Sequence, residues 1–378
     1  MNLRDKLRAI ESKPAKPAAP VRQYTSCWER AEEREPEEFP HAFDLMRRTV
    51  MLMQGEDMPE EFDPRRILYL DTETTGFAGA GTVAFLVGVG RLSDEGFMVR
   101  QYLMRDYPEE KFLLEKVALE LDDADVICTF NGRSFDVPLL RDRFLMNRMS
   151  PACLELPHID LLHMARRVWK LRLNRCNLGR LEEAVLGVAR TDDIPGGEVP
   201  QRYFSYLKTG QFDLLRDVIK HNAQDIASLC VLLSHMAWLY EHPEQVAFGE
   251  DVFSMGVALE RMKHPEEARR CYRLATGKMK TPGQLRLARS YRRAGDRNQA
   301  REIWQAMVIR REGGVEPYIE LAKHYEHVEK DIPAALEMTR RALMMLAEPS
   351  LLDSEAVQTT RNALQYRYDR LKGRLKQQ

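Results

Sequence analysis

Apolar positions change their period along this 378-residue chain. Ile67-Leu-Tyr-Leu70, the stretches 82–92 and 96–104, and Val126-Ile-Cys-Thr-Phe130 are runs rich in β-branched and aromatic residues. They predict strands over 66–71, 82–92, 96–104 and 126–130. Gly76-Phe-Ala-Gly-Ala-Gly81 and Ser93-Asp-Glu-Gly96 supply turn residues between the first three, which favours antiparallel pairing. Spacing of three to four then predicts helices over 108–121, 135–146, 161–170, 178–185 and 212–240. In the last of these, Ile219, Ile226, Leu229, Leu232 and Leu233 mark one buried side. Three antiparallel strands followed by a helix–strand crossover predict an α/β mixed sheet with flanking helices.

Residues 1–62 carry a weaker pattern and read as an N-terminal extension and linker. A short amphipathic helix fits 1–10. Lys13-Pro-Ala-Lys-Pro-Ala-Ala-Pro20 is a Pro/Ala linker, the acidic stretch 32–38 is expected to be solvated, and a helix over 41–53 would pack on the next domain. A repeat occupies 250–345. Ala288, Tyr291 and Ala300 keep a small/large/small spacing that Gly256, Leu259 and Ala268 echo earlier and Ala322, Tyr325 and Ala334 echo later. The spacing resembles the tetratricopeptide repeat, a helix–turn–helix unit of about 34 residues. It predicts an all-α repeat domain over 250–378, with 343–376 as a solvating end helix and a concave face for a protein partner. The boundaries expected are thus 1–62, 63–240 and 250–378, with separate cores for the two domains.

Composition excludes several classes. The chain is 44% hydrophobic and 30% charged, ordinary values for a soluble protein. It has no uninterrupted apolar stretch of about 18 residues, and its start is too charged for a signal peptide. Six scattered cysteines form no CxxC pair, which argues against zinc ribbons and disulfide frameworks and fits a reducing cytoplasm. Net charge is −1, but residues 255–378 hold 25 basic and 16 acidic side chains. Between Arg261 and Arg311 there are 15 basic and 4 acidic residues. That run suits a phosphate backbone, or is a solvated helical face without function.

Three acidic motifs carry candidate chemistry. In Asp71-Thr-Glu-Thr-Thr-Gly76, period-two alternation points Asp71 and Glu73 to one face. Paired carboxylates repel, and a hard divalent cation such as Mg²⁺ would relieve the repulsion. In Asn131-Gly-Arg-Ser-Phe-Asp136, Asp136 opens a helical pattern and is either an N-cap or a carboxylate beside Asp71 and Glu73. In His221-Asn-Ala-Gln-Asp225, the four-residue spacing stacks His221 over Asp225 on one helix face, as a surface pair or as part of the same site. His158 and Asp160 follow Pro157 at a strand or helix start; Asp160 is an N-cap or an outer support of the site.

Asp71, Glu73, Asp136 and Asp225, in this order, resemble the DEDD exonucleases of the ribonuclease-H-like superfamily. One DEDD subclass has Tyr four positions before the last Asp and another has His five before it; this chain has His at the Tyr spacing, which leaves the subclass open. Ile194-Pro-Gly-Gly-Glu-Val-Pro200, Tyr203-Phe-Ser-Tyr206 and His221-Asn222 resemble the bacterial YprB-type proteins, which join such a domain to C-terminal tetratricopeptide repeats.

The resemblance implies two Mg²⁺ or Mn²⁺ ions held by Asp71, Glu73, Asp136 and Asp225, with Asp71 shared between them. It implies His221 orienting or deprotonating a water, a role its ordinary pKa of about 6.5 suits. Thr74, Thr75 and Gly76 would let backbone approach a terminal nucleotide, Asn131 would orient a phosphate or water, and Phe77 would wedge a base or sit in the core. The activity implied is 3′-5′ exonucleolytic hydrolysis of single-stranded DNA or RNA. A scaffold with the nuclease fold as a binding platform, and a structure-specific endonuclease, are the other readings.

Overall fold

The computed structural model describes residues 25–76, 81–188, 190, 194–347 and 355–377. Alternation builds the central strand: Ile67 and Tyr69 join one apolar cluster, Leu68 and Leu70 the other. Six strands form one mixed sheet: β1 (Trp28–Arg34), β2 (Ile67–Thr74), β3 (Ala84–Leu92), β4 (Phe97–Leu103), β5 (Val126–Thr129) and β6 (His158–Asp160). Their order across the sheet is β1-β4-β3-β2-β5-β6. β1 to β4 pair antiparallel, whereas β5 runs parallel to both β2 and β6.

One strand lies outside the sequence expectation, and one was expected only as a strand or helix start. β1 falls in the stretch assigned to an extension, and its Glu32 and Glu33, expected to be solvated, pair with Val99 and Met98. Its side chains are polar on both faces, as protects a sheet edge from further pairing, so it carries no period-two apolar signal. β6, at the expected strand or helix start after Pro157, has three residues, too few for periodicity to choose between the two.

The helices of this part are α1 (Arg47–Gln54), α2 (Glu110–Asp122), α3 (Asp136–Met146), α4 (Leu161–Leu173), the short α5 (Leu178–Leu181), α6 (Val199–Thr209) and the 26-residue α7 (Arg216–Glu241). α5 runs on into a π-helical turn, Glu182–Leu186. α7 lies across β2, β3 and β4 on the face that carries Tyr69.

From residue 249 the chain is helical: α8 (Gly249–Arg261), α9 (Pro265–Leu274), α10 (Lys280–Arg293), α11 (Arg297–Arg310), α12 (Glu316–His324), α13 (Ile332–Met345) and α14 (Glu355–Leu375). Short connections make successive helices into hairpins. Small residues let them close: a Cβ on Gly256 would stand 2.7 Å from the Tyr272 ring. In place of separate cores, one apolar cluster runs from Ile67 and Tyr69 through Trp169 and Met236 to Met255, Tyr272 and Leu287. The end helix is held by Leu364 and Leu371, both buried.

The basic run 261–311 is largely neutralised from outside itself. Arg270 meets Glu244, Arg286 and Arg293 meet Glu260, Arg289 meets Glu316, Arg292 meets Glu320 and Arg301 meets Glu329. Most of these acidic partners sit on neighbouring helices. Much of the apparent positive charge is therefore a ladder between helices, not a free phosphate-binding face. No described helix is long and apolar enough to cross a membrane.

Candidate functional site

The end of β2 and the middle of α7 build the site together. The odd positions of β2 face α7, so Asp71 and Glu73 extend past the apolar pair Ile67 and Tyr69 towards that helix. Asn222 on α7 donates from Nδ2 to Asp71 Oδ2 at 2.9 Å. Its own Oδ1 accepts from Gln101 Nε2 of β4 at 2.9 Å, and Gln101 also donates to the Ile219 carbonyl at 2.7 Å. Gly88, the register partner of Asp71 on β3, makes room: a Cβ there would fall 2.1 Å from Asn222 Oδ1. A glycine inside an apolar strand is a sequence signal of such close approach. Gln101 has no comparable signal. Asn222 was visible only as the neighbour of His221.

Asp136 is the first helical residue of α3, and the N-cap is Phe135, without a side-chain capping bond. Asp136 Oδ1 instead accepts from Thr72 Oγ1 at 2.6 Å and from Thr72 N at 3.1 Å, bridging α3 to β2. Asp160 is the expected N-cap and also holds the Asn131 loop. It caps α4 through Leu162 N at 3.1 Å, and it accepts from the backbone N–H groups of Asn131 at 2.8 Å and Arg133 at 3.2 Å. Asn131 has φ +70°, the left-handed region that Asn tolerates better than most residues. His158 supports the loop from beneath: its Nε2 lies 2.8 Å from Thr129 Oγ1, which accepts from Gly132 N at 3.1 Å. Burial, followed by the Arg133 charge, lowers the His158 pKa to about 4.

His221 and Asp225 share one face of α7, with His221 Nε2 at 3.5 Å from Asp225 Oδ2 and 4.0 Å from Glu73 Oε1. A residue that no motif marks joins them. Arg190 donates from Nη2 to Asp225 Oδ1 and to Glu182 Oε1, the latter at 2.7 Å, and its Nη1 lies 3.2 Å from His221 Nδ1. Arginine has only donors, so Nδ1 accepts and the imidazole proton sits on Nε2, facing the carboxylates. Glu182 is fully buried and also accepts from Ser228.

Negative charge concentrates at Asp71. Burial, then the charges of Asp225, Asp136 and Glu73, push its carboxyl well above the usual carboxylate range, while Asn222 opposes the shift. Burial raises Asp136 to about 6 against the Thr72 hydrogen bond, and raises Asp225 against His221 and Arg190. Such a site is short of positive charge, and its donors are hard oxygens, the chemistry a divalent cation takes. Among the described residues no three His, Cys, Asp or Glu side chains stand close enough to hold an ion as they are. Asn222, Thr72 and Arg190 each engage an oxygen that an ion would otherwise take. The residues fit such an ion by charge and donor type, while Arg190 engages one oxygen of Asp225.

Thr74 ends β2 after a bulge, with its hydroxyl donating to the Gly76 carbonyl at 2.6 Å. Thr75 bonds Val83 through both backbone and hydroxyl, so the chain after Glu73 is fixed. Phe77 lies outside the described residues.

Comparison with known proteins agrees with this architecture. Residues 68–237 match the RNase_H superfamily. Over 291 residues the chain is 31% identical to an uncharacterized protein, YprB, of Bacillus subtilis (strain 168), covering 75% of this chain and 70% of that one. A family B DNA polymerase from the hyperthermophilic archaeon Pyrobaculum calidifontis shares 16% sequence identity, covering 57% of this chain and 30% of the polymerase, at a TM-score of 0.38. The chain spans less than a third of that polymerase, and a likeness at this score adds nothing to the reading of the site.

Proposed function

The chain belongs to the YprB-type family of RNase H-like proteins, and from that premise we propose that it is a divalent-metal-dependent nuclease, acting as a 3′-5′ exonuclease on single-stranded nucleic acid. An RNase H-like fold implies a nucleic-acid hydrolase, and RNase H-like nucleases generally use divalent metal ions. One observation carries the reading: contacts gather carboxylates of β2, α3 and α7 at the end of β2, Asp136 on Thr72, Asp71 on Asn222, and Glu73 and Asp225 both beside His221 Nε2.

Asp71, Glu73, Asp136 and Asp225 would hold two Mg²⁺ or Mn²⁺ ions. Bound divalent ions lower the pKa of water and neutralise charge on phosphoryl oxygens. Asn222 keeps Asp71 turned towards the other carboxylates, and Thr72 keeps Asp136 at the strand end. His221 orients the attacking water from α7 and accepts its proton at Nε2 once that nitrogen is deprotonated. Deprotonating Nε2 requires Nδ1 to carry the ring proton, so Arg190 must first release it. The Asn131 loop, fixed by Asp160, and the rigid Thr74-Thr75-Gly76 segment bracket the strand terminus. The helical unit from residue 249 is read as tetratricopeptide-like and as the binding face for a protein partner. The ladder of ion pairs between its helices favours that partner over nucleic acid for the outer hairpins.

The test is degradation of 5′- and 3′-labelled DNA and RNA oligonucleotides with EDTA, Mg²⁺ or Mn²⁺. Mononucleotide release from 3′ ends that needs the metal is expected. Cleavage of end-blocked circles would make the enzyme an endonuclease. No cleavage with either ion, together with strand binding, would leave a scaffold.

A further inference from the structure

We propose that the seam between the sheet unit and the first helical hairpins holds a second nucleic-acid subsite, where one phosphate lies among Arg167, Arg261 and Arg286 and one base lies against Phe253. The inference rests on the nuclease reading for the strand's point of departure, but not for its binding at the seam. A cavity of about 390 Å³ opens where α4, α8 and α10 meet. That is the size of a small-ligand cleft, roughly 300–1,000 Å³. One wall is Phe253 and Val257 of α8 with Leu171 of α4; the basic groups are Arg167 from α4, Arg261 from the last turn of α8 and Arg286 from α10.

The cations are arranged for an outside ligand. Arg261 is exposed and, among the described residues, makes no ion pair. Arg286 is ion-paired with Glu260 at 2.8 Å, so it adds a positioned donor and not free charge, and it lies 5.8 Å from the centre of the Phe253 ring. Arg167 is exposed and is oriented by the Met53 carbonyl at 3.0 Å, which leaves its charge uncancelled. Glu260 is already shared with Arg293 and the Tyr272 hydroxyl. A phosphate supplies the missing negative charge, and a base supplies the flat apolar body the half-buried Phe253 can stack on. An acidic peptide would use the arginines and leave that ring unengaged.

Contact joins this cavity to the candidate site. Arg133, two residues after Asn131, forms a bidentate pair with Glu56 at 2.8 and 2.5 Å. Glu56 follows Gly55, which ends α1 with φ +79°. A Cβ on Gly55 would touch Met262, which lines the cavity beside Arg261. The Arg133 hydrogen bond holds the Glu56 carboxyl below the usual range. Packed contact therefore runs from the Asn131 loop over the end of α1 to the seam, and a strand whose terminus sits at Asp71 would cross this surface to reach the arginines.

The test is fluorescence anisotropy of labelled oligothymidylates and oligouridylates of increasing length, in EDTA so that no cleavage intervenes. Wild type should show a step in affinity at the length that first reaches the seam. Arg261→Ala should remove that step, weakening long oligonucleotides about tenfold and leaving trinucleotides unaffected. One lost phosphate contact should also reduce the salt slope for long strands by about 0.7. Unchanged affinity at every length in Arg261→Ala would overturn the proposal. So would an equal loss at all lengths, or binding of a polyglutamate peptide that depends on Arg261 and exceeds that of the oligonucleotides. The readout involves no catalysis: a wild type that binds with the step but never cleaves would sink the nuclease reading alone.

Discussion

Asn222 on α7 holds Asp71 on β2 through a 2.9 Å hydrogen bond that exists only because position 88 has no side chain. Gln101 fixes the other end of the Asn222 amide, so three elements set the orientation of one carboxylate. Gly88→Ala would drive a methyl into Asn222. We expect a loss of stability of about 1–3 kcal/mol, the usual cost of overpacking. We also expect at least a hundredfold loss of cleavage, from misplacement of Asp71. Urea melts and single-turnover rates check both; wild-type rates would show that Asn222 does not position Asp71.

Asp71→Asn and Asp225→Asn should abolish metal-dependent cleavage with the fold intact. Asp71→Asn should also raise the melting temperature in EDTA at pH 7. The folded-state proton affinity of Asp71 is raised, so its stability contribution is present in acid and is lost as pH rises. The neutral isostere removes that cost, and the gap between variant and wild type should shrink towards pH 4. Normal cleavage by either variant removes it from the mechanism.

His221→Ala should lower turnover by roughly two to four orders of magnitude, the range of a positioned acid–base group. A steady-state assay reads the effect. A change below about threefold would assign His221 to packing alone.

Arg190→Gln leaves the fully buried Glu182 without its cation. Breaking a buried pair costs about 3–5 kcal/mol, so the metal-free variant should melt earlier than wild type. Removing the guanidinium also clears Asp225, so added Mn²⁺ should stabilise the variant more than wild type. Calorimetric titration with Mn²⁺ distinguishes this from simple damage: weaker binding than wild type would contradict competition between Arg190 and the ion.

His158 provides a separate pH signature. Its folded pKa of about 4 lies below the ordinary value, so the unfolded chain binds the extra proton between about 4 and 6.5. Stability is therefore full above pH 6.5 and is lost as pH falls towards 4. Allowing for partial exposure of the ring, the contribution is about 2 kcal/mol. His158→Gln should flatten this slope in melts at pH 7 and pH 5, and an unchanged slope would point to another group.

What sequence could show depended on whether a residue acts through local pattern. β2, β3, β4 and β5 lie close to the predicted strands because apolar alternation and turn residues are local. Asp160 declared itself through its place before a helix. β1 did not, since a polar edge strand resembles an acidic loop. Gln101, Glu182 and Arg190 act only through partners distant in the chain: Gln101 meets Asn222 across 121 positions. The basic run at 261–311 misled in the same way, because most of the acidic groups that neutralise it lie outside that window.

The apolar cluster that continues from Tyr69 to Leu287 welds the first helices after α7 to the sheet. Severing the chain between α7 and α8 would bare a greasy face on both fragments, so the first hairpin and the start of the next must be inherited together with the sheet. Beyond them the helices rest on small clusters of their own, around Trp304, Tyr318 and Ile332. Changes confined to those hairpins would leave the carboxylates at the end of β2 untouched.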